Sequence, residues 1–345
     1  MKGVLRITAA ALVTVVCVLL SQVGAQSEGG APSLTSADRL RLAEAFRLFD
    51  SMHDAVWHEW SRAPFAVLLV TTENEFLLRH EKPTDDFKPL GDDPVLKTPV
   101  CVRPRKYDVS LLATFPAVGA VPTVVIGQAE NTTAKTPTAW VVTLLHEHFH
   151  QWQYSQPGYY AAAEALGLTA GDQTGMWMLN YPFPYTDGDV AAKFDALSRS
   201  LAAVLELQGK PKFNERYSVY VRERSAFKDS LKQNDYKYLA FQEWQEGIAR
   251  YTEYKVARWA EEHYQATEEF KRLADYSSFN SLADKILDGI RSKLTAPQLA
   301  KDQRTAFYAF GAAEGLLLDA VRPGWHESYM KEQFSLDAHF ASVAK

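Results

Sequence analysis

The sequence predicts an α+β fold, with a small N-terminal sheet lobe followed by a mainly helical lobe. Three observations predict it. Apolar residues recur at helical spacing from Leu40 to Trp60. Short aliphatic runs broken by turn residues follow between Phe65 and Gln128. After Thr136 the strand-like runs stop, and helical patterns recur to the end of the chain.

The elements follow in order. Lys2 and Arg6 precede an apolar run, Ile7 to Leu20, and Val23-Gly24-Ala25 offers small residues for cleavage. That layout predicts a secretory signal peptide over 1–25, since the run is shorter than the roughly 20 residues a membrane span needs. The expected mature chain is secreted or periplasmic and begins near Gln26. Residues 26–35 read as a tether. A helix beginning near Ser36 carries Leu42, Ala45, Phe46, Phe49, Met52, Val56, Trp57 and Trp60, and is expected to end near Arg62-Ala63-Pro64. "FAVLLV" and "EFLLRH", separated by "TTEN", read as a β-hairpin. The Pro-, Asp- and Lys-rich stretch 81–108 reads as a surface excursion carrying Cys101. "VSLLATF" and "VPTVVIGQ" supply two further strands. Thr136-Pro137 marks a helix start, because proline at the first helical position lacks an N–H that would go unpaired anyway. This helix is expected to run to about Gln156, where Pro157-Gly158 stops it. Residues 36–156 would then form the α/β lobe and 157–345 the helical one. Helical patterns lie at 158–167, 189–209, 212–232, 237–263, 266–275, 279–293 and 304–321, with an aromatic loop, Met176 to Tyr185, among them.

Composition narrows the function. The chain has 37 Lys+Arg against 42 Asp+Glu, a net charge of −5, and removing Lys2 and Arg6 gives 35 − 42 = −7. No basic stripe offers a footprint for nucleic acid or an anionic membrane. Cys17 leaves with the signal peptide, so Cys101 alone cannot form an internal disulfide and stability must come from packing. Asn131-Thr132-Thr133 is a glycosylation sequon that matters only in a eukaryotic secretory pathway. After cleavage no apolar run is long enough to span a membrane.

The informative segment is "WVVTLLHEHFHQWQYSQPG", Trp140 to Gly158, which concentrates ionisable side chains on an apolar helix. At about 100° per residue, His146 and His150 share one face, Glu147 borders it, and His148 points nearly opposite. His-Glu-x-x-His is the spacing of a zinc site, with two imidazoles on the metal and the carboxylate addressing a metal-bound water. A catalytic zinc takes a third protein ligand, for which Glu164, Glu215, Glu246, Glu253 and His326 have suitable chemistry. "FQEWQEGIARYTEY" sets Glu246, Arg250 and Glu253 on one helical stripe. Gly247 costs a helix about 1 kcal/mol, which suggests close approach by another helix or the metal. For Glu246 the metal is favoured; for Glu253, an ion pair with Arg250 or a role orienting a ligand. Gly311 and Gly315, at helical spacing, read as a close helix–helix contact.

"HEHFH" with a downstream "EGIARY" resembles the gluzincin branch of the zincin metallopeptidases. Their third ligand is a glutamate in a Glu-Gly-x-Ala-x-Tyr context, matched by Glu246, Gly247, Ala249 and Tyr251. The resemblance implies a zincin-like fold, with zinc held by His146, His150 and Glu246 and with Glu147 as general base. It also implies a substrate-pairing edge strand, expected at Val121 to Gln128. It covers two short motifs and departs from the thermolysin-like spacing. There the glutamate follows the second histidine by about twenty residues, whereas 95 separate His150 from Glu246. Glu164 therefore stays a rival ligand. Tyr251, Tyr308, His326 and Tyr329 are candidate donors to the oxyanion. The expected function is hydrolysis of peptide or protein substrates. The alternatives are a zinc hydrolase of non-peptide amides or esters, a catalytically silent binding protein of the same fold, and a metal-independent helical interaction protein.

Overall fold

Burial of short aliphatic runs builds a six-stranded mixed sheet at the centre of the N-terminal half. The computed structural model describes residues 31–172 and 174–341. The expected signal peptide, and the tether up to residue 30, lie outside the described residues. The strands are β1 (Val67–Val70), β2 (Asn74–Leu78), β3 (Lys88–Asp93), β4 (Thr98–Pro104), β5 (Leu112–Val118) and β6 (Val121–Gly127), in the order β3-β4-β2-β1-β6-β5. β1 and β6 are parallel, with Val67 opposite Val124, and the other neighbours are antiparallel. All four β1 residues are fully buried, as expected of a central strand covered on both faces.

Two expectations change here. The stretch 81–108 is no loop: it supplies β3 and β4, whose Val100 and Val102 are buried. And β6 is not an edge strand, because it pairs with β1 on one side and β5 on the other; β5 is the edge on that side. Chain order could not reveal this, since β1 joins β6 across four intervening strands.

Helix α1 (Ser36–Val56) begins at Thr35, whose hydroxyl accepts from the Asp38 N–H, and buries Leu42, Ala45, Phe46, Phe49 and Met52 in the core that the sheet shares with α2 (Pro137–Tyr154). It ends before the expected Arg62–Pro64. Trp57 turns extended, donates from its indole to Thr252 (2.9 Å) and packs its ring on Phe149 and Tyr329. That tertiary anchor outweighs the local helical pattern. α2 starts at Thr136, which accepts from the Ala139 N–H, and runs almost wholly buried.

The C-terminal part is mostly helical: α3 (Tyr159–Ala165), α4 (Gly188–Glu206), α5 (Phe213–Ser230), α6 (Gln233–Gln242), α7 (Ile248–His263), α8 (Phe279–Thr295) and α9 (Thr305–Val321), with shorter turns between. No described helix is long and apolar enough to cross a membrane. α6 and α7 are joined by a π-helical turn, Glu243–Gly247, which helical periodicity did not predict. The aromatic loop packs on this body: Trp177 meets Phe241, Tyr181 stacks on Tyr238 and Phe183 meets Phe307. α7 crosses α2 and α1, while α9 crosses the π turn so closely that a Cβ on Gly247 would sit 2.6 Å from Gly311 Cα. Gly247 therefore serves another helix, as one of the two expected reasons had it.

Candidate metal centre

His146 and His150, one turn apart on α2, bring their Nε2 atoms to 3.1 Å. From the π turn, Glu246 Oε2 reaches 3.5 Å from His150 Nε2 and 3.9 Å from His146 Nε2. Ligands at roughly 2.0–2.2 Å from a tetrahedral ion would sit about 3.3–3.6 Å from one another. The three atoms already approximate that triangle, and the group could hold a metal ion.

The partners of the Nδ1 atoms explain which nitrogens are free. His150 Nδ1 lies 2.7 Å from Gln153 Oε1. The Gln153 amide nitrogen faces the carbonyls of Trp244 (3.2 Å) and Gln245 (3.1 Å) and the Tyr329 hydroxyl (2.8 Å), so its oxygen must face the imidazole. Gln245 Nε2 donates to that same oxygen at 2.9 Å. These carbonyls belong to the π turn, where the wider winding leaves backbone acceptors to be satisfied from outside. His150 Nδ1 thus carries the proton and Nε2 the lone pair. On His146, Nδ1 lies 2.7 Å from Glu253 Oε1, with the oxygen off the ring N–H line, and Arg250 pairs with the other oxygen of Glu253.

Two imidazole nitrogens and a carboxylate brought this close are favourable only with a cation or proton among them. The titration behaviour follows. Burial disfavours charging His150, but Glu246 and then Glu147 carry it up to about 9. Burial likewise opposes ionisation of Glu246, yet His150 and His146 hold its carboxyl down at about 2.

Glu147, next on α2, is buried and takes the Thr114 hydroxyl at 2.9 Å on Oε2. Thr114 belongs to the edge strand β5, so Glu147 lies beside an open strand edge. His148 points away from the pair, as expected, and is fully buried. It stacks on Phe65 at 3.7 Å, with Phe49 and Trp60 around it and its Nδ1 2.7 Å from Gln151. Desolvation lowers its pKa to about 3.

The other candidates separate cleanly. Glu164 and Glu215 are exposed and outside the group. His326 joins Tyr251 at 2.8 Å, and Tyr251 also donates to Asp319, so both are committed to each other. Tyr329 donates to the Trp244 carbonyl at 2.6 Å while it accepts from Gln153. Tyr308 is different. After burial, the field of Glu246 pushes its pKa up most, Arg304 opposes that, and Arg304 donates to its oxygen. Sequence reasoning missed Gln153, Gln245, Thr114 and Arg304. Gln153, three residues beyond His150 on the same helix, was the one with a local signal. No family model, curated protein or solved structure matches this chain.

Proposed function

We propose that the chain is an exported zinc-dependent peptidase of zincin type. The observation that carries this reading is the convergence of Glu246 on His146 and His150 across 95 residues of chain, with His150 oriented through Nδ1 and Glu253 beside His146 Nδ1. Random burial of histidines gives no reason for such a set, and two imidazoles with a carboxylate suit zinc.

His146, His150 and Glu246 would hold the ion. Zinc bound there supplies Lewis acidity, polarising a carbonyl and making water nucleophilic near neutral pH. Glu147 takes the proton from the attacking water and delivers it to the departing amine. Thr114 holds one carboxylate oxygen of Glu147, which leaves the other to accept. Tyr308, with its oxygen already accepting from Arg304, turns its own O–H to the developing oxyanion. The free edge of β5 receives an extended substrate as an added strand.

The test is metal analysis of the purified protein together with hydrolysis of a peptide library with and without chelator. Stoichiometric zinc and chelator-sensitive cleavage are expected. Absence of bound metal, or full metal occupancy with no peptide cleaved, refutes the peptidase.

A further inference from the structure

Near the candidate metal group lies a cleft of about 240 Å³ between α2, α7 and α8, lined also by Thr133 and Ala134. Its α2 wall is Ala139, Val142 and Thr143, at seven, four and three residues before His146. Those spacings put the wall on the helical stripe that leads to His146. Glu253, which touches His146, lines it too.

The cleft's charge is lopsided. Arg250 from α7 and Lys285 from α8 both line it, against the single carboxylate of Glu253. That carboxylate already serves Arg250 and His146. Arg250 keeps guanidinium N–H groups beyond the one given to Glu253, and Lys285 is exposed, with no ion-pair partner among the described residues. Val142, Leu282 and Ile286 supply apolar surface between the cations. Ligand pockets for whole small molecules usually measure about 300–1,000 Å³, so this space suits one part of a longer ligand.

We propose that this cleft is a substrate subsite for a carboxylate, held between Arg250 and Lys285 with an apolar side chain beside it; the assignment rests on the peptidase reading. The carboxylate comes from the substrate's C-terminus or from an acidic side chain. A guanidinium with free N–H groups and an ammonium on the facing wall match its two oxygens.

The experiment uses the full chain, zinc-loaded, carrying Glu147→Gln so that ligands survive. Calorimetry compares an N-acetylated tripeptide as free acid, the same peptide as C-terminal amide, and an amide with one aspartate. Either acidic form should bind roughly 10- to 100-fold more tightly than the plain amide, the range expected for a hydrogen-bonded charged contact. The form that does so identifies the source. Lys285→Glu should erase the preference while leaving the plain amide's affinity and the zinc content as they were, and Lys285→Ala should reduce it. Equal binding of all three peptides, or a preference that survives Lys285→Glu, overturns the subsite even if the wild type cleaves peptides. A preference that Lys285→Glu abolishes, in a chain that cleaves nothing, upholds the subsite while refuting the peptidase.

Discussion

Gly311→Ala tests whether a backbone contact between two helices holds the third ligand in place. A Cβ at 311 would lie 2.7 Å from the Glu243 carbonyl oxygen and 2.9 Å from both Glu243 Cα and Gly247 Cα. Ordinary contact begins near 3.4 Å, so α9 and the π turn must part by about 0.5–0.7 Å. The obstructing atoms are backbone, which cannot swing aside as a side chain can. Overpacking of this kind costs about 1–3 kcal/mol, and alanine's better helix propensity returns about 1 kcal/mol. The net loss should be up to about 2 kcal/mol, which lowers Tm by up to roughly 6 °C. Metal sites tolerate ligand displacements of about 0.2 Å, so the same movement at Glu246 should weaken zinc binding at least tenfold. Gly289→Ala is the control. Gly289 is an exposed α8 glycine whose added Cβ would meet only Arg250 Nη2, at 4.0 Å, so it should gain up to about 1 kcal/mol. Thermal unfolding with chelator reads the packing term, and competition with a chromophoric chelator reads zinc affinity. Wild-type Tm and zinc affinity in Gly311→Ala, or equal damage from Gly289→Ala, would refute the reasoning.

Other outcomes are expected from the same geometry. Glu147→Gln should keep metal and fold but lower peptide hydrolysis by about 100- to 10,000-fold; turnover near wild type would assign the base elsewhere. Glu246→Ala should weaken metal binding by orders of magnitude, and Glu253→Ala, which frees His146 Nδ1, by roughly 10- to 100-fold. Glu164→Ala should leave metal content unchanged, and metal loss there would restore the rival ligand. His148→Gln should keep full metal stoichiometry yet destabilise the core by about 1–3 kcal/mol, because it removes the stack on Phe65. It should also flatten the acid side of the stability curve. The unfolded imidazole takes a proton near pH 6.5, and the buried ring refuses it until about pH 3. Stability is therefore lost as pH falls through that window, by about 2 kcal/mol between pH 7 and 5 for this residue. Urea titrations with chelator at the two pH values would show the difference, and an unchanged slope in the mutant would contradict it.

Local patterns were readable where one physical constraint acted alone. Thr136-Pro137 and Pro157-Gly158 bracketed α2 closely. The aliphatic run at Val67 and its successor at Glu75 announced the first hairpin, and Gly311 and Gly315 announced a close crossing. Three things were not readable, each because a distant partner decided it. β3 and β4 carry proline, aspartate and lysine. β3 tolerates them as an exposed outer strand with a bulge between Pro89 and Gly91, while β4 is recruited by β2. The true edge strand depended on the parallel pairing of β1 with β6, a contact across more than fifty residues. Helical phasing set His148 opposite the ligand pair, but nothing local announces that Phe49, Trp60 and Phe65 enclose it.

The long separation of His150 from Glu246 also has a structural account. The π turn that presents Glu246 is gripped on three sides. Gln153 of α2 takes its carbonyls, Gly311 of α9 presses on its backbone, and behind it Glu243 is buried against Arg224. Burial first, and then the neighbouring Glu314, push the Glu243 carboxyl well up, and Arg224 opposes them. Arg224 reaches both glutamates and Asp337. Arg224 comes from α5, inside the segment that lengthens the interval between the ligands. Two buried carboxyls without that guanidinium would be strongly unfavourable. The intervening helices are therefore not an appendage set between His150 and Glu246. They supply the counter-charge that lets a buried acidic turn stand behind Glu246 and hold its carboxylate against the two imidazoles.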